Sequence, residues 1–139
     1  MKILVGTDGS ICSEKAIDFA ANLASKTSSP LTILHVVPHV PSTKEDLIEL
    51  IKEELGSPEE IGQQYLEKGM EISKKHGVDA GWKLLTGYPA EEILNEAEKK
   101  KYGLIVVGST GKGRINEFLL GSVSSKLVHH SKIPVLVMK

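Results

Sequence analysis

Five short apolar runs alternate with segments of helical periodicity, and this alternation is the feature that most restricts the fold. Each run contains few polar residues and is bounded by glycine, proline or aspartate, as is typical of strands buried on both faces. Strands that alternate with helices form a parallel sheet covered on both sides. The sequence therefore predicts an α/β fold, a three-layer sandwich of the Rossmann-like type. The predicted strands are residues 2–7, 31–37, 79–85, 104–107 and 134–138.

Helix start signals lie between these runs. Ser10 or Ser13 can cap a first helix that carries Phe19 on its inward face. Ser57, followed by proline at the first helical position, is a stronger start signal, and this helix should continue until Gly77 ends it. Further helices are predicted from Pro89 and over residues 122–131 with Val128 inward, and residues 43–55 can form a short acidic helix.

A glycine-rich loop separates the fourth predicted strand from the last helix, within residues 106–125. Glycines allow positive φ and let backbone N–H groups approach a ligand closely, and the first N–H groups of a helix attract anions. This arrangement indicates a phosphate site, but a glycine-rich connection with a serine cap can also be purely structural. Ser122, Ser124 and Ser125 add hydroxyl groups, and Lys112 and Arg114 add positive charge.

Three common signatures are missing from the sequence. It contains no Gly-x-x-x-x-Gly-Lys-Ser/Thr loop and no Gly-x-Gly-x-x-Gly fingerprint. It also lacks the Gly-x-Ser-x-Gly turn that carries the nucleophile in α/β-hydrolases. A P-loop NTPase, an ordinary dehydrogenase and a serine hydrolase are therefore not indicated.

Charge is divided unevenly along the chain. Residues 1–99 hold 10 basic and 17 acidic side chains, a net of −7, whereas residues 100–139 hold 7 basic and 1 acidic, a net of +6. The glycine loop lies in the basic part, which suits an anionic ligand, although a solvated basic face is equally consistent. With only six scattered aromatic residues, we expect no nucleic-acid partner.

Several further expectations concern the location of the protein. No run approaches the roughly 18 apolar residues of a membrane span, and the N-terminal apolar run is too short for a signal peptide. The single cysteine, Cys12, cannot form an internal disulfide, and we expect it to act as a small apolar group early in a helix. We therefore expect a cytoplasmic protein with no membrane partner.

The spacing of the glycines resembles that of the universal stress protein family, in its ATP-binding branch. Gly108, two residues, Gly111, nine residues, Gly121 and Ser122 reproduce the pattern of that branch. The resemblance extends through the Asp8 loop, residues 34–37, residues 87–93 and residues 134–137. It covers nearly the whole chain and implies a single domain over residues 1–139.

The resemblance implies an adenine nucleotide alpha-hydrolase-like fold, with five parallel strands in the order 3-2-1-4-5. Asp8 and Gly108 would then face one crevice, with ATP as the ligand and Mg²⁺ or Mn²⁺ on its phosphates. Asp8 would contact the ribose or the metal ion, although it can also serve as an Asx turn or a helix cap. The implied binding residues are Gly6, Thr7, Asp8, Val36, Val107, Gly108, Gly111, Gly121, Ser122, Val123 and Ser124.

The function implied by the resemblance is a nucleotide-dependent regulatory switch in a stress response. Such proteins commonly pair through the last strand, so we expect a homodimer through Pro134 to Met138, with a protein partner still to be identified. Two alternatives stay open, a slow ATP hydrolase and a dimerising adaptor with a vestigial nucleotide pocket. No catalytic residue is assigned, because His35 fits a hydrogen-bonded structural role and His129 and His130 fit the end of a helix.

Overall fold

The computed structural model describes residues 1–39, 49, 53–111 and 120–139. Lys112, Arg114 and most of the predicted acidic helix therefore lie outside the described residues. The strands are β1 (Ile3–Gly6), β2 (Leu31–Pro38), β3 (Gly81–Gly87), β4 (Leu104–Gly108) and β5 (Val135–Met138). The helices are α1 (Ile11–Thr27), α2 (Pro58–Lys74), α3 (Pro89–Lys99) and α4 (Ser122–His130).

The five strands form one parallel sheet in the order β3-β2-β1-β4-β5, which confirms the predicted topology. β1 lies at the centre and pairs with β2 on one side and β4 on the other. The chain therefore reverses its direction of progress across the sheet between β3 and β4. The outermost strands are β3 and β5, so the predicted edge position of the last strand is confirmed.

The central strands bury side chains on both faces of the sheet. Ile3 and Val5 of β1 join the core beneath α1 and α2, whereas Leu4 joins a second core beneath α3 and α4. All three side chains are fully buried. Because successive residues of a strand point to opposite faces, a continuous apolar run builds two cores at once, which gives the predicted three layers.

β3 begins and ends two residues later than predicted. Its residues pair with β2 from Thr32 opposite Gly81 to Pro38 opposite Gly87. As an edge strand it is only partly covered, and several of its side chains are exposed, so its apolar pattern locates it poorly. The hydrogen-bonding partner, rather than the strand's own sequence, sets its limits.

Two helix faces differ from the predictions. Phe19 of α1 is 39% exposed, because the helix packs with its small residues, including Ala16 and Ala20, against the sheet and α2. In α4, Val128 is 46% exposed, while Leu127 and Ser124 are buried. In α1, therefore, the face of small residues is the one that is buried, because it permits the closer approach.

α2 ends near its predicted limit and contains a glycine with a packing role. The helix stops at Lys74, and Gly77, at φ +72°, donates its N–H to the Lys74 carbonyl. A Cβ at Gly69 would lie 3.1 Å from both Ile17 and Ile33, so the glycine lets α2 approach α1 and β2 closely. No helix within the described part of the chain combines the length and the apolar character needed to cross a membrane.

Candidate functional site

A cavity of about 590 Å³ lies at the carboxyl edge of the sheet, where β1 and β4 are neighbours. In α/β sheets, ligands bind at this edge, at the point where the strand order reverses. The volume is that of a small-molecule site. The eleven binding residues implied by the resemblance all line this one cavity, whereas Ser125, a further candidate from the sequence, does not. They are Gly6, Thr7, Asp8, Val36, Val107, Gly108, Gly111, Gly121, Ser122, Val123 and Ser124.

The end of β1 is held rigidly beside the cavity. The N–H of Thr7 donates to the Leu34 carbonyl at 2.9 Å, and its hydroxyl accepts from the N–H of Gly9 at 3.2 Å. A Cβ at Gly6 would lie 3.3 Å from Ile93, so glycine allows α3 to pack closely over the strand end. The backbone that carries Asp8 is therefore positioned by main-chain contacts on both sides.

The Asp8 carboxylate has two different surroundings. Oδ1 accepts a hydrogen bond from the N–H of Ser10 at 2.9 Å, which forms the Asx turn considered as an alternative role. Oδ2 points toward the glycine loop, because a Cβ added at Gly111 would lie only 2.5 Å from it. One oxygen therefore stabilises the turn before α1, and the other faces the cavity.

The glycines of the loop are needed for close approach and not for positive φ. A Cβ at Gly108 would lie 2.9 Å from the carbonyl carbon of Cys12, at the start of α1. Gly121 adopts φ −65° and donates its N–H to the Ser109 carbonyl at 2.7 Å. Among the described glycines, positive φ occurs at Gly9, Gly56, Gly77 and Gly87, so close approach is the property of glycine that Gly108, Gly111 and Gly121 use.

The first turn of α4 borders the same cavity. Gly121 is the N-cap residue and has no side chain with which to cap the helix. The Ser124 hydroxyl donates to the Ser109 carbonyl at 2.9 Å and lies 3.2 Å from the Gly121 carbonyl. The Ser124 hydroxyl hydrogen is therefore used within the loop. The backbone N–H groups of the first turn of α4 are the donors available to an anion.

β2 contributes an apolar strand end and a buried histidine. Val36 and, on the neighbouring β4, Val107 are buried in the core and also line the cavity. His35 Nδ1 donates to the Thr7 carbonyl at 2.7 Å, and its ring meets Tyr65 edge to face at 5.3 Å between centroids. The prediction that His35 is a hydrogen-bonded structural residue is confirmed.

Sequence reasoning missed the apolar walls of the cavity. One wall comes from α2, with Pro58, Ile61 and Tyr65 on the same helical face, and another from α3, with Pro89 and Ile93. An apolar stripe on a helix, such as Ile61 and Tyr65, has the same sequence pattern whether it packs on a core or lines a cavity. The half-burial that distinguishes the two becomes visible only in the structure.

Cys12 has polar surroundings, contrary to the expectation of a simple apolar role. Its thiol donates to the Met138 carbonyl at 3.2 Å and lies 3.5 Å from the Ser109 hydroxyl. Burial raises the pKa of the thiol, but hydrogen bonds from Ser109 and Thr110 outweigh burial and leave the pKa below its usual value. The thiol therefore lies between the Ser109 hydroxyl and the end of β5.

A metal ion would find few protein ligands here. Within the described ranges, no group of three or more histidine, cysteine, aspartate or glutamate side chains is placed to hold one. Asp8 Oδ2 supplies one carboxylate oxygen beside the glycine loop. Mg²⁺ is commonly held by one or two carboxylates together with phosphate oxygens, so this site fits a metal ion that accompanies a phosphate ligand.

A doubly wound parallel sheet with a cavity at its switch point defines the class of protein as Rossmann-like α/β. The family model described as "Universal stress protein family" matches residues 1–139. The chain is 40% identical to universal stress protein MJ0531 of Methanocaldococcus jannaschii over 99% of its length and 81% of that protein. It is 38% identical to YxiE of Bacillus subtilis over 99% of its length and 98% of that protein. The chain therefore belongs to the universal stress protein family.

Solved structures of the family share the fold. A universal stress protein in complex with cAMP superposes with a TM-score of 0.76, at 27% identity, covering 100% of this chain and 97% of that one. The universal stress protein of Archaeoglobus fulgidus in complex with dAMP gives a TM-score of 0.72, at 25% identity, covering 100% of this chain and 98% of that one. Both ligands are adenine nucleotides.

Proposed function

We propose that the chain binds ATP in this cavity and acts as a nucleotide-dependent regulatory switch in a stress response. The observation that carries the proposal is the meeting of Asp8, Gly111 and the first turn of α4, which are distant in sequence, at one cavity. The cAMP and dAMP complexes of related proteins support an adenine nucleotide. The glycine loop and the helix N-terminus support a ligand with several phosphates.

Each part of the nucleotide has a matching part of the cavity in this proposal. The adenine ring lies between the apolar walls of α2 and α3, with the backbone near Val36 as its hydrogen-bonding edge. Asp8 accepts from the ribose hydroxyls or holds the metal ion. The phosphates lie against Gly108, Gly111 and the first N–H groups of α4. Mg²⁺ or Mn²⁺ bound with the nucleotide reduces the repulsion between the phosphates and the Asp8 carboxylate.

In the switch itself, the triphosphate changes the population of conformations of the loop between Gly111 and Gly121, and a protein partner binds one of them more tightly. We place this action in the cytoplasm, in accordance with the expectation from the sequence. Residues 112–119 of this loop lie outside the described residues, and Ser109, shortly before them, donates its N–H to the Met138 carbonyl at the end of β5.

Calorimetric titration of nucleotide-free protein with ATP, ADP and AMP in Mg²⁺ tests the proposal. A Gly121→Val variant should lose ATP binding, because its Cβ would lie 3.3 Å from the Ser109 carbonyl and its methyl groups would enter the loop. Gly81→Val is the matched control, since a Cβ there meets nothing closer than 3.7 Å and valine suits a strand. The control should bind ATP as the wild type does.

The results separate the proposal from its alternatives. Selective ATP binding that Gly121→Val abolishes, with an unchanged thermal unfolding midpoint, supports a triphosphate site. Equal binding of ATP and AMP contradicts the assignment of ATP. A wild type that binds none of the three nucleotides contradicts the whole proposal and favours the adaptor with a vestigial pocket. Repeated turnover of ATP, removed by the same variant, favours the slow hydrolase.

We also propose that two copies pair through Pro134 to Met138. Among the described strands, β5 pairs with β4 alone, and its outer edge offers backbone groups to a second copy. Sedimentation equilibrium at micromolar concentration should give the mass of a dimer. A Val137→Pro variant, which introduces a ring and removes an N–H at this edge strand, should shift the mass toward the monomer. A wild-type monomer at this concentration contradicts the pairing.

A further inference from the structure

We infer that Ser109 is a positioning residue that links the glycine loop to the end of β5, so that an anionic ligand in the loop and the ordered end of β5 stabilise each other. The inference rests on the proposed function, because the ligand that it invokes is the nucleotide phosphate. It adds a physical connection between the cavity and the edge of the sheet.

The backbone of Ser109 forms hydrogen bonds to both the end of β5 and the start of α4. Its N–H donates to the carbonyl of Met138, the last residue of β5, at 2.7 Å. Its carbonyl accepts from the N–H of Gly121 at 2.7 Å and from the hydroxyl of Ser124 at 2.9 Å. The end of β5 and the first turn of α4 are therefore connected through this one residue.

Cys12 at the start of α1 is the third element of this junction. Its sulfur lies 3.2 Å from the Met138 carbonyl oxygen and 3.5 Å from the Ser109 hydroxyl. Gly108, immediately before Ser109, packs so closely on the Cys12 backbone that a Cβ would not fit. A displacement of Ser109 must therefore displace Cys12 and Met138 as well, because close-packed atoms cannot move without their neighbours.

β5 depends strongly on this junction. The strand has four residues, all only partly buried, and its register with β4 ends at the pair Gly108 and Met138. The Ser109 bond to Met138 lies beyond that last pair and closes the end of the ladder. A short, half-exposed strand frays at its end unless such bonds hold it.

A phosphate at the first turn of α4 holds Gly121 and Ser124 in place, and these residues hold the Ser109 carbonyl. Thr110 and Gly111, which line the cavity, follow Ser109 directly in the chain. Because coupling between two sites is reciprocal, an ordered β5 must strengthen phosphate binding by the same factor by which phosphate strengthens the order of β5.

Shortening the chain tests the link without touching the cavity. A chain that ends at Val137 lacks Met138 altogether, whereas a matched control that ends at Met138 lacks only Lys139 and keeps an acceptor at Met138 as the terminal carboxylate. Calorimetry should show that the chain ending at Val137 binds ATP about fivefold or more weakly than the control, within the usual range of coupling between sites. Its affinity for adenosine, which has no phosphate, should be unchanged. Equal ATP affinities of the two shortened chains overturn the inference.

Alkylation of Cys12 in the full-length wild type provides a measurement that does not depend on the folding of a variant. Cys12 is the only cysteine in the sequence, so uptake of iodoacetamide reports this thiol alone. ATP should slow the reaction about tenfold, within the usual range of coupling between sites, because an ordered junction keeps the Cys12 hydrogen on the Met138 carbonyl and only the thiolate reacts. Adenosine should leave the rate unchanged.

The outcomes distinguish this inference from the proposed function. ATP binding with an unchanged alkylation rate, or equal slowing by ATP and adenosine, overturns the role of Ser109 and leaves the nucleotide site standing. A wild type that binds no ATP overturns both. Slowing by ATP alone supports the link, and the loss of this slowing in the chain that ends at Val137 assigns it to the Met138 bond.

Discussion

Helices α1 and α4 both begin at the carboxyl edge of the sheet, yet their first turns are built differently. At α1, the Ser10 hydroxyl accepts from the N–H of Ser13 at 3.1 Å, and Glu14 lies in the first turn. At α4, the cap residue is Gly121, which has no side chain, and the first turn contains no acidic residue. At α1, a side chain of the helix start itself accepts the hydrogen bond of a first-turn N–H group. At α4, no side chain caps the helix, and its first turn faces the cavity.

The two helix starts lie at one edge of the sheet and have different roles: a capped start stabilises the fold, and a start capped by glycine is available for binding. A capped and acid-flanked helix start has its donors and its dipole compensated within the chain. A start capped by glycine leaves the same donors for an external anion. α2 follows the first design, with Ser57 as its cap and acidic residues in its first turn. In the proposed function, α4 therefore lacks a stabilising side-chain cap, and its first-turn N–H groups bind a phosphate instead.

Converting the α4 start to the α1 design should have the largest effect. In Gly121→Asp, the new carboxylate caps the helix and lies where a phosphate would bind, so we expect ATP affinity to fall at least about a hundredfold through like-charge repulsion. Gly121→Asn offers a cap of similar size without the charge and should lose less affinity. Calorimetry measures both variants, and equal losses would show that bulk and not charge matters.

Removing the charge of Asp8 should have the next largest effect. Asp8→Asn keeps an oxygen for the N–H of Ser10 and so preserves the Asx turn, but it removes the carboxylate that faces Gly111. We expect ATP affinity in Mg²⁺ to fall about tenfold, as for the loss of one charged hydrogen bond or metal contact. Asp8→Ala, which also loses the turn, should be less stable to denaturant. An unchanged affinity in Asp8→Asn would assign Asp8 to the turn alone.

Weakening the cap of α1 should reduce stability and leave binding intact. Ser10→Ala removes the hydroxyl that accepts from the N–H of Ser13 and should lower the free energy of unfolding by about 1 kcal/mol. Chemical denaturation measures this loss, and calorimetry on the same sample should show wild-type affinity for ATP. A large loss of affinity would mean that the α1 start also contributes to the ligand site.

The smallest expected effect concerns pH and the Cys12 thiol. Its pKa lies below the ordinary value of 9.0, because the donors of Ser109 and Thr110 outweigh burial. A folded-state pKa lower than that of the unfolded chain means that stability rises as the pH increases between the two values, and that this gain is absent below the lowered pKa. Denaturation of wild type and Cys12→Ala over this range should show the difference growing with pH. A constant difference would contradict the lowered pKa.

Most of the element order could be predicted from the sequence, because buried strands and capped helices carry strong local signals. Ser57 before Pro58 located α2, and the apolar run near the N-terminus located β1. The limits of β3 and the inward face at Phe19 could not be predicted, because they depend on the partner strand and on how closely neighbouring helices approach. The strand order came from a family resemblance and not from periodicity.

Those parts of the cavity that have chemically distinctive sequence signals could be predicted. The glycine spacing and the Asp8 loop indicated residues that the structure places together around one space. Tyr65 and Pro89 were missed as wall residues, because an apolar side chain on a helix has the same signature in a core and in a cavity. The link from Ser109 to Met138 has no sequence signal, since it joins two backbone groups.

The sequence by itself determined where helices begin, which strands are buried on both faces and which positions bear no side chain. These properties depend on neighbours within a few residues along the chain, so they can be inferred locally. Only the tertiary structure decided that Asp8 Oδ2 faces Gly111 and that Cys12, Ser109 and Met138 form one junction. The physical reason is that parallel pairing of β1, β4 and β5 brings the ends of distant strands to the same edge.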